Sequence, residues 1–296
     1  MAVYSIKDLE KLSGIQAHTI RIWEKRYKLV CPRRTDTNIR VYTDEDLKRL
    51  LNIAILNNNG IKISKIARLS DEEMKERILS LTEDTGRNEN QIDALVLSMV
   101  ELNESKFEKV LSRLILQNGF EEAITHIIYP FLSKIGVLWQ TGNINPAQEH
   151  FITNLIRQKL FVAIDSVLTD DLPDRKRFIL FLPEGELHDI ALLYYSYLIK
   201  KMGHEVIYLG QTVPFSDVVE VNKIKPCQYL VTSMTTPVPD DTLDEFLSDI
   251  SKSFSEQKIF ILSGQVRPNE VEKYPNITSI RHQTVFNEFL KSITPL

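Results

Sequence analysis

The hydrophobic period of this chain changes once, near residue 176, and that change limits the fold more than any other feature. Before it, apolar residues recur every three or four positions, as helices that bury one face require. After it they come in short unbroken runs: Phe178-Ile179-Leu180-Phe181-Leu182, Val206-Ile207-Tyr208-Leu209, Tyr229-Leu230-Val231 and Lys258-Ile259-Phe260-Ile261-Leu262. Helical patterns lie between them, over Asp189–Lys201, Phe215–Lys223 and Thr242–Phe254, and a weak strand near Ile277 precedes a last helix over Val285–Ile293. Strands alternating with helices build a doubly wound parallel sheet of the α/β class. The expected chain is therefore multidomain, with this sheet over 175–296 and its ligands at the C-terminal ends of the strands.

The first 170 residues divide again. Over 1–72, Ser5-x-x-Asp8 is a capping box, followed by Ile6, Leu9 and Leu12 at helical spacing and by Gly14 as a stop. A second short helix runs from Ala17 to Arg26, so the pair has helix-turn-helix spacing. Pro32 to Tyr42 is a polar hairpin-like segment, with Arg40-Val41-Tyr42 as a strand. Thr43-Asp44-Glu45-Asp46 caps a third helix with Leu47, Leu50, Leu51 and Ile55 inward. Ile63, Ile66 and Leu69 form a short fourth after Gly60. Residues 73–91, and Glu83 to Asn90 above all, carry no strong apolar pattern and are expected to be a linker.

Residues 92–170 are expected to form a four-helix bundle. Leu95, Met99, Val100 and Leu102 begin the first stripe, and Phe107, Val110, Leu111, Leu114 and Ile115 the second. A third helix from Phe120 to Trp139 should kink at Pro130. Asn145-Pro146-Ala147-Gln148 is a strong start for the fourth, with Ile152, Leu155, Ile156, Leu160 and Ala163 on its apolar face.

Charge separates the parts. Residues 1–69 hold 14 Lys+Arg against 7 Asp+Glu, a net of +7, while 70–296 hold 22 against 33, a net of −11. A basic module on an acidic body is the signature of a nucleic-acid reader joined to something else. No apolar stretch is long enough for a membrane span, and the N-terminus has no signal core, so a cytoplasmic protein without membrane contact is expected. Two cysteines, Cys31 and Cys227, make neither a disulfide framework nor a cysteine-rich metal site.

Ala17-His18-Thr19-Ile20-Arg21-Ile22-Trp23-Glu24-Lys25-Arg26, then Arg33-Arg34-Thr35-Asp36, Arg40-Val41-Tyr42 and Asp44-x-Asp46-Leu47 together resemble the winged helix-turn-helix of MerR-family transcription regulators. The resemblance implies a double-stranded DNA operator as partner. Arg21 and Lys25, one helical turn apart, would project from the recognition helix, with His18 near its start. Arg33, Arg34, Arg40 and Tyr42 would lie on the wing, and Glu24 would orient an arginine. The polar run around Gly86 interrupts the long dimerising helix that many members have, so coupling between the parts is expected to run through assembly rather than through that linker. No cysteine lies between Cys31 and Cys227, so metal sensing of the family's cysteine type is not expected.

The second half resembles cobalamin-binding modules, in which a helical cap precedes a flavodoxin-like domain. Glu186-Leu187-His188-Asp189-Ile190-Ala191 follows the first strand and matches the family's Glu/Asp-x-His-x-x-Gly except at Ala191. By resemblance, His188 is the lower axial ligand to cobalt, and Glu186 or Asp189 fixes its tautomer. Ser233-Met234-Thr235 matches a second signature, and Ser263-Gly264 stands for a third, Gly-Gly. Trp139, nine residues and then Glu149-His150 resemble the light-sensing adenosylcobalamin regulators of the CarH/LitR type. The resemblance places Trp139 over the upper face of the cofactor and Glu149 and His150 beside its adenosyl group.

What these resemblances imply is a non-enzymatic transcription regulator, a repressor, that binds cobalamin as adenosylcobalamin. Cofactor and light would set its self-association, as dimer or tetramer. Two other readings remain open: a MerR-like regulator whose cobalamin module has turned to another ligand or a protein, and a corrinoid methyltransferase component.

Overall fold

The structure, a computed structural model, describes residues 4–35, 38–58, 60–74, 76–77, 88–140, 145–168, 174–236, 240–262, 266, 268–281 and 283–294. For residues 11, 12, 44, 58, 88, 137–140, 240, 268 and 269 it describes the backbone alone. The chain divides into two compact units, 1–155 and 156–296.

In the first unit, helix α1 (Ile6–Ser13) opens on the expected capping box. Ser5 Oγ accepts from the Asp8 N–H at 3.4 Å, and the Asp8 carboxylate accepts from the Ser5 N–H at 2.7 Å. Gly14 ends the helix at φ 71°, a conformation glycine reaches without strain. Helix α2 (Ala17–Tyr27) follows, with Ile20 and Trp23 buried. Strands β1 (Arg33–Arg34) and β2 (Arg40–Val41) pair antiparallel as the wing. A bridge between Tyr4 and Tyr42, closed by two hydrogen bonds of 2.9 Å, ties the wing to the start of α1.

Helix α3 (Asp44–Asn58) is buried on more than its expected face. Leu47, Leu50, Leu51 and Ile55 point inward as expected, but Ile53, Ala54 and Leu56 are also at most 1% exposed. A helix apolar all round is packed on several sides. α3 lies against α1, against the short α4 (Ile63–Ile66), and against α5 (Asn88–Val100). The basic module and the helical region thus share a packed interface that does not depend on the segment joining them. α5 begins at Asn88, so the last residues of the expected linker are helical; residues 78–87 lie outside the described residues. α5 is itself buried from Asp93 to Val100, while Leu102, expected on its stripe, is 52% exposed in the turn that follows.

Helix α6 (Glu104–Asn118) starts on an Asn103 cap, with Asn103 Oδ1 accepting from the Lys106 N–H at 2.9 Å. The third expected helix is α7 (Phe120–Ala123), a π turn (Ile124–Ile128) and α8 (Tyr129–Gln140). The irregularity falls in the turn before Pro130, whose ring and missing N–H disfavour regular helical bonding back along the chain. Helix α9 (Pro146–Asp165) follows, and the buried Gln148 donates from Nε2 to the Val100 carbonyl at 3.1 Å.

The second unit is a five-stranded parallel sheet in the order β4-β3-β5-β6-β7, from strands β3 (Arg177–Pro183), β4 (Glu205–Val213), β5 (Tyr229–Ser233), β6 (Lys258–Leu262) and β7 (Ile277–Ile280). Counted within the sheet this is 2-1-3-4-5, the flavodoxin-like order. Helices α10 (Ile190–Lys201), α11 (Phe215–Ile224), α12 (Asp240–Ser253), α13 (Pro268–Val271) and α14 (Gln283–Ile293) connect or follow the strands. Residues of β3 alternate between two cores. Ile179 and Phe181 join Val218, Leu230, Leu247 and Phe254. On the other side Phe178 stacks on Tyr229, which meets Phe260 and Phe289. Burial of both faces accounts for the unbroken apolar runs. The strand order reverses between β3 and β5, so a crevice is expected where their C-terminal ends part.

Candidate functional sites

The basic face of the first unit is assembled by α2 and the wing. His18, Arg21, Lys25, Arg33 and Arg34 are exposed. Arg21 and Lys25 are four residues apart and share a face of α2. Arg34 donates to Asn38 Oδ1 at 2.6 Å, bracing the wing across its turn. Glu24 does orient an arginine: Arg40 Nε donates to both Glu24 oxygens at 3.1 Å, joining wing to helix. Tyr42 is different. It is fully buried, and its hydroxyl lies 3.4 Å from Glu24, so it supports the wing from beneath rather than lining the basic surface. Burial, with the Glu24 charge beside it, pushes that phenol up to about 12. Ile22 on α2 and Ile39 on the wing are 53% and 59% exposed on the same elements. Composition gave no reason to single them out, although apolar side chains at such positions meet thymine methyl groups.

In the second unit, the loop after β3 carries Glu186, His188 and Asp189 to the point where the strand order reverses. Glu186 is 5% exposed and accepts many bonds. Its Oε1 takes the N–H of Leu187 at 2.9 Å and of His188 at 3.0 Å. Its Oε2 takes the N–H of Thr235 at 2.7 Å and of Thr236 at 2.8 Å, from the loop after β5. His188 Nδ1 lies 2.6 Å from Glu186 Oε1. Burial alone would raise the Glu186 carboxyl, but the His188 ring and these backbone donors outweigh it and hold the group well below the usual carboxylate range. Of the two partners the sequence left open, Glu186 is the one on the imidazole. Asp189 turns away to Arg157 of α9, with Nη2 to Oδ2 at 3.0 Å.

The arrangement fits a metal held by one imidazole. A carboxylate on Nδ1 fixes the proton there and leaves the Nε2 lone pair as the coordinating one. The His188 side chain is 62% exposed, at the end of the sheet where ligands of this topology bind. Thr235 contributes its backbone N–H. Ser233 is 2% exposed and its hydroxyl donates to the Leu262 carbonyl at 3.0 Å, so it joins β5 to β6. Ser263 and Gly264 lie outside the described residues, as does the side chain of Trp139 in the last turn of α8. Glu149 and His150 open α9 and pair with each other, Nδ1 to Oε2 at 2.8 Å.

Four residues of the loop's support were not read from the sequence: Thr236, Gln211, Thr212 and Arg157. Gln211 Nε2 donates to the Leu187 carbonyl at 2.6 Å, and Thr212 Oγ1 to the Glu186 carbonyl at 3.4 Å. Both sit where β4 slips register against β3, beside Gly210 at φ 86° and Thr212 at φ 53°. The signal for Gln211 and Thr212 was Gly210 directly after the apolar run Val206–Leu209, since a glycine within a strand marks a bulge that re-aims its neighbours.

Residues 4–73 match the family model described as MerR HTH family regulatory protein, and residues 91–163 match the B12 binding domain. Over 223 residues the chain is 26% identical to the HTH-type transcriptional repressor CarH of Myxococcus xanthus, covering 72% of this chain and 73% of that protein. Over 212 residues it is 26% identical to the repressor CarA of the same organism, covering 71% and 68%. The fold is similar to that of the monomethylamine corrinoid protein of Methanosarcina barkeri, with a TM-score of 0.57 and 17% identity over 70% of this chain and 100% of that one. The chain thus joins a MerR-type helix-turn-helix domain to a B12-binding domain, and over most of its length it is similar to the CarH and CarA repressors.

Proposed function

We propose that this protein is a DNA-binding transcription repressor controlled by cobalamin, in the adenosyl form and sensitive to light. The observation that carries the reading is the Glu186–His188 pair at the strand-order reversal, on the same chain as an exposed basic recognition face. His188 would hold the cofactor's cobalt through Nε2. Glu186 fixes its tautomer and stitches the loops after β3 and β5 together. When bound, adenosylcobalamin supplies a cobalt–carbon bond that light breaks. Trp139, Glu149 and His150 are the residues proposed to line the adenosyl side. Arg21, Lys25, Arg33 and Arg34 neutralise phosphates or read base edges, and Arg40 and Tyr42 support the wing.

The chain is not an enzyme on this reading. The cofactor shifts an equilibrium between oligomers, and more readers on one assembly raise DNA affinity. Such a regulator works on DNA in the cytoplasm, and among the described residues no helix is long and apolar enough to cross a membrane. The test is reconstitution in the dark. Protein mixed with adenosylcobalamin and passed through gel filtration should keep the coloured cofactor, and His188→Ala should lose most of it. Colourless wild-type protein would refute the reading.

A further inference from the structure

Asp189 stands at the N-cap of α10, where a short carboxylate ordinarily accepts from the free N–H groups of the first helical turn. Its side chain makes no such bond. It is 3% exposed and turned onto Arg157, whose guanidinium also lies 5.9 Å over the ring of Phe161, one turn further along α9. A cap interaction is forgone, and the carboxylate instead meets the Arg157 guanidinium and the Gln211 side chain. The ion pair has a neighbour. The residue before His188 is held by Gln211 through the Leu187 carbonyl, and the residue after it by Arg157 through the Asp189 carboxylate. His188 is itself largely exposed, and Glu186 meets its ring at Nδ1.

We infer that Arg157, acting through Asp189, is a positioning residue that sets the His188 imidazole for metal coordination from the cap helix α9. The inference rests on the cobalamin reading above. A planar fork between a buried carboxylate and an aromatic ring is a task for arginine, since a lysine ammonium offers neither the fork nor the flat face. Groups that orient a ligand from behind typically change metal affinity by about 10–100-fold when removed.

The test uses the full chain and adenosylcobalamin in the dark, with Arg157→Ala, Arg157→Lys, Asp189→Asn and the Arg157→Ala/Asp189→Asn double variant. Dissociation constants are measured by titration. The bound cofactor is then illuminated without oxygen, so that homolysis of the cobalt–carbon bond leaves cobalt(II) and releases the adenosyl radical, and electron paramagnetic resonance reads the splitting from an axial imidazole nitrogen. Thermal melting of the apo-proteins reports folding. The single variants should bind about tenfold or more weakly, with the nitrogen splitting lost from part of the bound cofactor. The lysine variant should recover only part of the effect. The double variant should be no worse than the poorer single one, because the two groups act as a unit. Wild-type affinity and full splitting in every variant would overturn the inference. So would weaker binding that tracks apo-protein melting while the splitting stays intact. Wild-type protein that retains no cobalamin would instead overturn the cobalamin reading, and this inference with it.

Discussion

Replacing Glu186 by glutamine isolates what the carboxylate does, because size and shape are nearly kept. In the wild type each oxygen accepts two backbone N–H groups: Leu187 and His188 on one, Thr235 and Thr236 on the other. A glutamine has one oxygen. Whichever way its amide turns, two of those N–H groups face an NH2, and each stranded donor costs about 1–3 kcal/mol. The loops are exposed enough for water to recover part of this, so the loss should be about 2–4 kcal/mol. In a unit of this size that lowers the melting midpoint by roughly 5–15 °C. Hydrogen exchange followed by mass spectrometry locates the effect. Peptides spanning 184–189 and 233–236 should lose protection together, although they are about fifty residues apart, while strands β6 and β7 keep theirs. A destabilisation below about 0.5 kcal/mol, or exchange confined to one of the two loops, would show that the carboxylate does not join them.

Glu24→Gln should loosen the wing by freeing Arg40; competition binding should show a lower ratio of specific to non-specific DNA affinity even though a negative charge has gone, and an unchanged ratio would contradict this. Arg21→Ala should weaken specific binding by about 1–3 kcal/mol if it reads a base, whereas Arg33→Ala should weaken all sequences alike and flatten the salt dependence. His204 is 1% exposed, accepts from the Lys176 N–H on Nδ1 at 3.3 Å, and sets Nε2 3.2 Å from Thr294 Oγ1, a pattern that suits the neutral ring. Burial, with the nearby Lys176 charge, lowers its pKa. The unfolded chain therefore takes up the proton first, and stability of the sheet unit should fall as pH drops below about 6.5; urea titrations of His204→Gln should show a shallower slope there, and an identical slope would exclude His204 as its source.

Pattern and capping made much of this fold legible. Ser5-x-x-Asp8, Gly14 and the unbroken apolar run Phe178–Leu182 are local rules, and local rules survive tertiary packing. What sequence could not show was what covers a face. The pattern of α3 points Leu47, Leu50, Leu51 and Ile55 inward, yet Ile53 and Leu56 are buried as well, on a helix against which α1, α4 and α5 all pack. Tyr42 reads as a wing residue, but its side chain is buried, with its hydroxyl against Glu24. In the loop after β3 the motif supplied Glu186 and His188 and left Asp189 as a second candidate partner. Only geometry separates them, since the choice depends on Arg157, which lies about thirty residues upstream on another element. Thr236 escaped notice because its shorter bond to Glu186, at 2.8 Å against 3.3 Å for its hydroxyl, comes from a backbone N–H, which no residue type announces.

The most direct measurement is operator affinity of the full chain with and without adenosylcobalamin, in the dark and after illumination, with light scattering on the same samples. The account predicts that cofactor in the dark enlarges the oligomer and tightens DNA binding, that light reverses both, and that His188→Ala shows neither change. Wild-type protein that retains the cofactor yet binds its operator equally in all conditions would contradict it.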